Sequence, residues 1–245
     1  MARFFLSRKN IAAQRGTVAG AELEHLRRVL RLGPGDSITV FDDAGWEHEA
    51  VIRSLDVHSA EIEILHSFQA ERESPLKLTL AVGLTKGDKM DFVVEKATEL
   101  GVHAIVPFVS TYTVPKLDER KIAQRGQRWQ KIALAAAKQC GRVRIPEIFP
   151  LCEFAAMVGL TTDPLKLLFW EKETRRTLRQ VQAAEPLARS IFLAVGAEGG
   201  FSDPEADLAQ KQGFEPIGLG RRILRAETAA LTGASLVQFL WGDLG

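Results

Sequence analysis

The 245-residue sequence predicts an α/β protein with a parallel sheet in its C-terminal two thirds and a smaller β-rich unit before it. Three observations predict this. From Leu76 onward, short apolar runs alternate with helical patterns. Strands that are apolar on both faces belong to parallel sheets covered by helices on both sides. Before Leu76, strand-like runs succeed one another with turn residues between them, as in a small β-barrel or antiparallel sheet. Finally, 46% hydrophobic and 26% charged residues match a soluble globular chain. Polar residues 69–74, closed by Pro75, read as the linker, which divides the chain into residues 1–72 and 73–245.

In the first unit, residues 21–32 read as a helix with Leu23, Leu26, Val29 and Leu30 on one face. Gly33-Pro34-Gly35-Asp36 stops it, because proline lacks an amide donor and glycine tolerates the turn. Strands come next over Ser37–Phe41, 49–55 and 60–65, with Asp43-Ala44-Gly45 turning the chain between the first two. Ile62 and Ile64 alternate with Glu61 and Glu63, the period of a half-buried strand. In the second unit, strands are expected over 76–84, Ala104–Val109, 165–170, 191–195 and 216–219. Helices are expected between and after them, over 88–100, 117–140, 175–183, Asp203–Lys211 and 228–241. Gly101 and Gly141 end the first two helices.

Several chemistries lack their residues. Cys140 and Cys152 make neither a disulfide framework nor a four-cysteine zinc site, and suit a reducing compartment. The five histidines show no metal-ligand spacing, so no metal is expected. There is no GxSxG elbow, no GxxxxGK[ST] loop and no GxGxxG turn. The absence of that last turn disfavours a dinucleotide oxidoreductase. The N-terminus has no secretory apolar run, and uncharged runs such as 228–242 reach only 15 residues. A cytoplasmic protein without a membrane span is expected.

The strongest local feature is residues 191–205, an apolar strand running through Gly196-Ala197-Glu198-Gly199-Gly200 into Phe201-Ser202-Asp203-Pro204-Glu205. Ser202 and Glu205 form an S-x-x-E capping box, and Pro204 suits a first helical turn. Glycines let a backbone approach a ligand closely, and such a loop at the carboxyl end of a parallel strand is where α/β sheets bind ligands. Glu198 within the loop disfavours a phosphate. A second element, Leu219-Gly220-Arg221-Arg222-Ile223-Leu224-Arg225, crowds three arginines before an apolar helix, where the helix dipole opposes them unless a partner accepts them. Glu198 and Glu227 are candidate partners, as are RNA phosphates. The interleaved Ile223 and Leu224 suggest burial.

Together, G-x-E-G-G-F-S-x-x-E and L-G-x-R-I-L-R-x-E-T-A closely resemble the RsmE family of 16S ribosomal RNA uridine-N3 methyltransferases, in the SPOUT superfamily. Lys86-Gly87-Asp88-Lys89-Met90, Ala136-Ala137-Lys138-Gln139-Cys140-Gly141-Arg142 and Arg27-Arg28-Val29-Leu30-Arg31 agree with other motifs of that family. The resemblance implies a PUA-like N-terminal β-barrel, a C-terminal SPOUT trefoil-knot domain and a homodimer. It also implies that S-adenosylmethionine lies against Leu168, Phe169, Gly196, Ala197, Glu198, Gly199, Gly200, Leu219, Gly220, Ile223 and Leu224. Arg222, Arg225, Arg142 and Glu198 become the candidate catalytic residues. Arg3, Arg8, Arg27, Arg28, Arg31, Gln139 and Arg142 become candidate contacts to 16S rRNA in the 30S subunit. Three departures from the family pattern stand out. Ala197 replaces a proline, Lys138 a glutamate, and Thr111-Tyr112-Thr113 a Glu-Arg-Ser stretch. A SPOUT enzyme with another RNA target, or an RNA-binding assembly factor without turnover, are the alternatives.

The net charge of +1 hides segregation. Residues 1–31 carry a net +5, residues 32–72 a net −7 and residues 116–144 a net +7. Phosphate contacts depend on local patches rather than totals, so neutrality excludes a basic tail but not an RNA substrate.

Overall fold

The computed structural model describes residues 2–113 and 118–245. Met1, Lys116 and Leu117, the last of which begins the long helix expected from sequence, lie outside the described residues. The chain divides into two compact units: the residues up to Glu73 together with Ala137–Ile145, and Ser74–Ala136 together with Pro146–Gly245.

The first unit contains β1 (Ala2–Phe5), β2 (Ile11–Ala12), β3 (Arg15–Ala19), α1 (Gly20–Glu24), β4 (Ser37–Phe41), β5 (Trp46–Leu55) and β6 (Ser59–Gln69). They form one sheet in the order β1-β4-β5-β6-β3-β2, antiparallel except for β1 against β4. Phe4, Val18, Ile38, Val40, Ile52 and Ile62 meet in its core, each below 2% exposure. Ile62 and Ile64 are buried as their alternation requires.

The helix expected over residues 21–32 is shorter and broken. After α1 the chain makes one π-helical turn, His25–Val29, and Arg31 closes it at φ +55°. A π turn holds more residues than an α turn, so it rotates the next side chains off the original face. Leu23 and Leu26 are buried, but Val29 is 65% exposed and Leu30 is also exposed.

The second unit contains β7 (Lys77–Gly83), α2 (Lys89–Glu99), β8 (Ala104–Val109), α3 (Glu119–Cys140), β9 (Glu147–Ile148), β10 (Cys152–Glu153), α4 (Phe154–Gly159), β11 (Leu165–Phe169), α5 (Leu178–Ala184), β12 (Ser190–Val195), α6 (Asp203–Lys211), β13 (Glu215–Ile217) and α7 (Ala226–Trp241). The last turn of α3 clusters with the first unit. The sheet order is β10-β8-β7-β12-β11-β13, with β9 beside β8 and every pairing parallel. Strand order reverses between β7 and β12, which puts a topological switch point at their carboxyl ends. Phe108, Phe154, Phe192, Phe201 and Phe214 pack on one another in the core. Among the described residues, no helix is long and apolar enough to cross a membrane.

One acid organises the discontinuous part of the first unit. Glu73 accepts from Arg142 Nε at 3.0 Å, from Arg142 Nη2 at 2.7 Å and from the amides of Val143 and Arg144. Arg142 is buried, and its carbonyl accepts from Arg3, which also pairs with Glu47 at 3.0 Å. Glu73→Ala removes two charge-assisted hydrogen bonds to the buried Arg142 and the acceptor of two backbone amides, so it is expected to lower stability by about 3 kcal/mol. Chemical denaturation checks this, and a loss under roughly 1 kcal/mol would contradict the assigned role.

Candidate active site

Glycine spacing at the switch point decides what can gather there. Gly83 ends β7, and a Cβ on it would fall on the backbone of Gly196 and Ala197, the start of the loop after β12. Only a glycine lets those two junctions touch. The loop then doubles back, with the Gly200 amide donating to Ala197 O at 2.9 Å and Gly200 at φ +68°, where a side chain would be strained. Ser202 caps α6 in a complete capping box with Glu205, as the S-x-x-E spacing predicts. Glu205 also accepts from the Thr111 amide at 2.7 Å, which fastens the loop after β8 to the glycine loop.

The glycine loop, the turn after β11 and the segment from β13 into α7 line a cleft of about 300 Å³, formed by residues 169–171, 173, 195–200, 219–224, 226 and 229. That size is at the lower end for small-molecule sites. Phe169, Gly196, Ala197, Glu198, Gly199, Gly200, Leu219, Gly220, Ile223 and Leu224 line it, as does Arg222. Leu168 does not: it faces the core at 0% exposure, because alternate strand residues point to opposite faces. Trp170, at the strand end that the resemblance implies, lines the cleft too; Glu171 and Glu173 also line it and were not expected, their signal being the polar turn directly after an apolar strand.

Several side chains differ from their sequence-based reading. Glu198 pairs with no arginine: its Oε1 accepts from the Lys86 amide and from Lys89 Nζ, each at 3.1 Å. Partial burial pushes its pKa up, but these donors outweigh it and hold the carboxyl below the usual glutamate range. Ile223 is 86% exposed, so the burial suggested by its apolar character is not met. The guanidinia of Arg221, Arg222 and Arg225 form no hydrogen bond or ion pair among the described residues. Arg225 caps α7 through its backbone position but does not line the cleft. The missing side chain of Gly199 points at Tyr112 rather than into the cleft, so this glycine makes room for that ring.

The candidate RNA residues also separate. Arg8, Arg28, Arg31 and Gln139 are exposed, and Arg27 donates to Val57 O at 3.2 Å. Arg3 and Arg142 are instead committed to ion pairs with Glu47 and Glu73, where their guanidinia are unavailable to phosphate. Arg142, a candidate catalytic residue, belongs to the first unit and is absent from the cleft lining.

Glu205 generates a pH prediction. Burial raises its pKa, but hydrogen bonds from Thr111 and Ser202 together outweigh this and set it below the ordinary glutamate value. A carboxyl depressed on folding stabilises fully above its unfolded value, and that contribution is lost as pH falls through the folded value. Glu205→Gln should therefore destabilise the protein by ~1–3 kcal/mol at neutral pH. The gap between variant and parent should close on acidification, as measured by urea midpoints. A gap that stays constant with pH would refute the charged role.

Comparisons with known proteins bear on this geometry. An RNA methyltransferase domain family matches residues 72–238, and an RNA methyltransferase PUA domain family matches residues 18–65. Ribosomal RNA small subunit methyltransferase E of Bacillus subtilis is 31% identical, over 91% of this chain and 89% of its own length. The enzyme of the same name from Synechocystis is 35% identical, over 87% of this chain and 69% of its own length. Among solved structures, the Neisseria gonorrhoeae enzyme of that name, bound to S-adenosyl methionine, superposes with TM-score 0.89 at 34% identity, covering 100% of both chains. A putative methyltransferase of Legionella pneumophila in complex with the bound cofactor SAM superposes with TM-score 0.91 at 33% identity, covering 99% of this chain and 98% of that one. The α/β unit is thus a SPOUT-type methyltransferase domain and the N-terminal unit a PUA domain. The chain belongs to the ribosomal RNA small subunit methyltransferase E family, the RsmE family that its motifs resemble.

Proposed function

We propose that the protein binds S-adenosylmethionine in the cleft and methylates N3 of one uridine of 16S rRNA in the 30S subunit, uridine 1498 in standard rRNA numbering. One observation carries the reading. The glycine loop and the arginine loop line one cleft in a chain 34% identical, over its full length, to an enzyme crystallised with S-adenosyl methionine.

The residues fit such a cofactor. A Cβ on Gly196 would lie 2.9 Å from the Gly200 carbonyl carbon, so the loop presents bare backbone. Phe169, Ile223, Leu224, Ala226 and Ala229 give the cleft apolar walls. Glu171 lines it with a carboxylate that has no hydrogen bond or ion pair among the described residues, an attractive neighbour for a cation.

When bound, the cofactor supplies an electrophilic methyl carbon on a sulfonium. The protein's residues do the rest by holding the two reactants in line, since orientation removes much of the barrier. Uracil N3 must lose its proton before or as it forms the new N–C bond, while the C–S bond breaks to leave a neutral thioether. The pairing edge of the base must be exposed, so the target is unpaired or flipped. Arg222 stands at the cleft with its guanidinium free to balance the negative charge that develops on the ring. Arg225, beside it on the helix cap, is placed to hold a flanking phosphate.

In the PUA domain, Arg8, Arg27, Arg28, Arg31 and Gln139 would contact RNA. The π-helical turn that displays Arg27 and Arg28 supports this, because such turns are frequent at functional sites. A second copy of the chain would cover Leu236 and Phe239, which α7 leaves 39% and 59% exposed, giving a homodimer. An rRNA substrate places the protein in the cytoplasm.

Labelled S-adenosylmethionine and undermethylated 30S subunits test the activity. N3-methyluridine at a single 16S position is expected by mass spectrometry. Methyl at another nucleotide would redirect the target, and no transfer would favour an assembly factor. Arg222→Ala should slow turnover by about 10²-fold with little change in cofactor affinity. Parental turnover would remove Arg222 from the catalytic set.

A further inference from the structure

Lys89 occupies a position that local physics disfavours. It is the first residue of α2, where a cation opposes the helix dipole. Its ammonium lies 3.1 Å from Glu198 Oε1 and 3.6 Å from Glu227 Oε2. Those carboxylates come from two different elements at the cleft: Glu198 lines it, and Glu227 directly follows the lining residue Ala226. Glu198 sits in the glycine loop after β12, and Glu227 in the first turn of α7, just past the arginine loop. Their side chains are 28% and 16% exposed, so both are partly shielded from solvent. Glu227 Oε2 has no hydrogen-bond partner, so its compensation from Lys89 is charge alone.

We propose that Lys89 is a positioning residue for the methyl-transfer site, an electrostatic clamp that holds the glycine loop and the α7 entrance together around the cofactor. Two like charges converging in a partly desolvated place repel unless a cation stands between them. Lys89 is that cation, and the Lys86 amide fixes Glu198 from the same loop after β7. Without the ammonium, Glu198 and Glu227 push apart and the cleft loses its width. Lys89 itself does not line the cleft, so it acts through the two glutamates.

The inference rests on the cofactor assignment above, and its test separates the two. Calorimetry of the parental protein with S-adenosylmethionine tests the assignment. The clamp is tested first without ligand, by amide hydrogen exchange. Lys89→Met should speed exchange in residues 196–201 and 219–226, whereas exchange in β7 and β12 stays parental. Glu227→Gln added to Lys89→Met removes the repulsion and should restore slow exchange. Lys89→Arg keeps the charge and should exchange like the parent. With cofactor, Lys89→Met should weaken affinity by about tenfold or more, and the double variant should recover most of that. The same pattern should appear in KM for the cofactor, with kcat changing less.

Parental exchange in Lys89→Met would overturn the clamp, as would a double variant no better than the single one, since lost packing is not rescued by neutralising a neighbouring carboxylate. If Lys89→Met does not fold, the comparison of Lys89→Arg with Lys89→Gln decides by the same criteria. Failure of the parent to bind S-adenosylmethionine would remove the cofactor assignment and leave the exchange result standing.

Discussion

Backbone touches backbone where β7 and β12 end, and the catalytic half of the molecule is arranged around that approach. Gly83 has no side chain because Ala197 occupies the space. Adjacent parallel strands normally leave their following loops apart, each with its own side chains between them. Here the two loops share one surface, so the Lys86 amide can reach Glu198 and the Glu205 carboxylate can reach Thr111. The sheet supplies the rigidity for this. Leu80, Ala81, Val82, Leu193 and Ala194 are each buried, which fixes the strands to well within the tolerance such contacts need.

Charge in this protein is divided between structure and solvent in a way that totals conceal. Arg3 and Arg142 sit in basic segments of the sequence, yet the fold consumes them in buried ion pairs. Lys138, a reversal of the family's usual charge, pairs with Glu22 at 2.8 Å in the PUA domain, so its sign matches a local acid. Arg221, Arg222 and Arg225 keep open guanidinia at the other domain's cleft or helix cap. Cations that the fold has not used are the ones free for a polyanion.

The second unit was legible in sequence almost element by element, because its apolar runs are continuous and its helices amphipathic. Ala104–Val109 and Asp203–Lys211 have the limits that their patterns predict. The glycine loop of the cleft was legible because glycine, serine and proline carry specific backbone meanings. What escaped was non-local. β1 pairs with a strand more than thirty residues away, and four residues of mixed polarity give no period to detect. The π turn escaped because α and π turns share nearly the same hydrophobic spacing over one or two turns. The pairing of Arg142 escaped because a motif shows which residues recur, not whether an acid such as Glu73, far earlier in the chain, binds one of them.

That acid also bears on how the chain matures as it is made. Residues 137–145 belong to the first unit although more than sixty residues of the other unit intervene. The N-terminal sheet leaves the ribosome first but lacks its final segment until Ile145 has emerged, and by then much of β7 to α3 is also outside. Until then Glu73 and Arg3 have no Arg142 to bind. The first domain in sequence is therefore still incomplete when its sheet has been made, and its last contacts form only once part of the second has been synthesised.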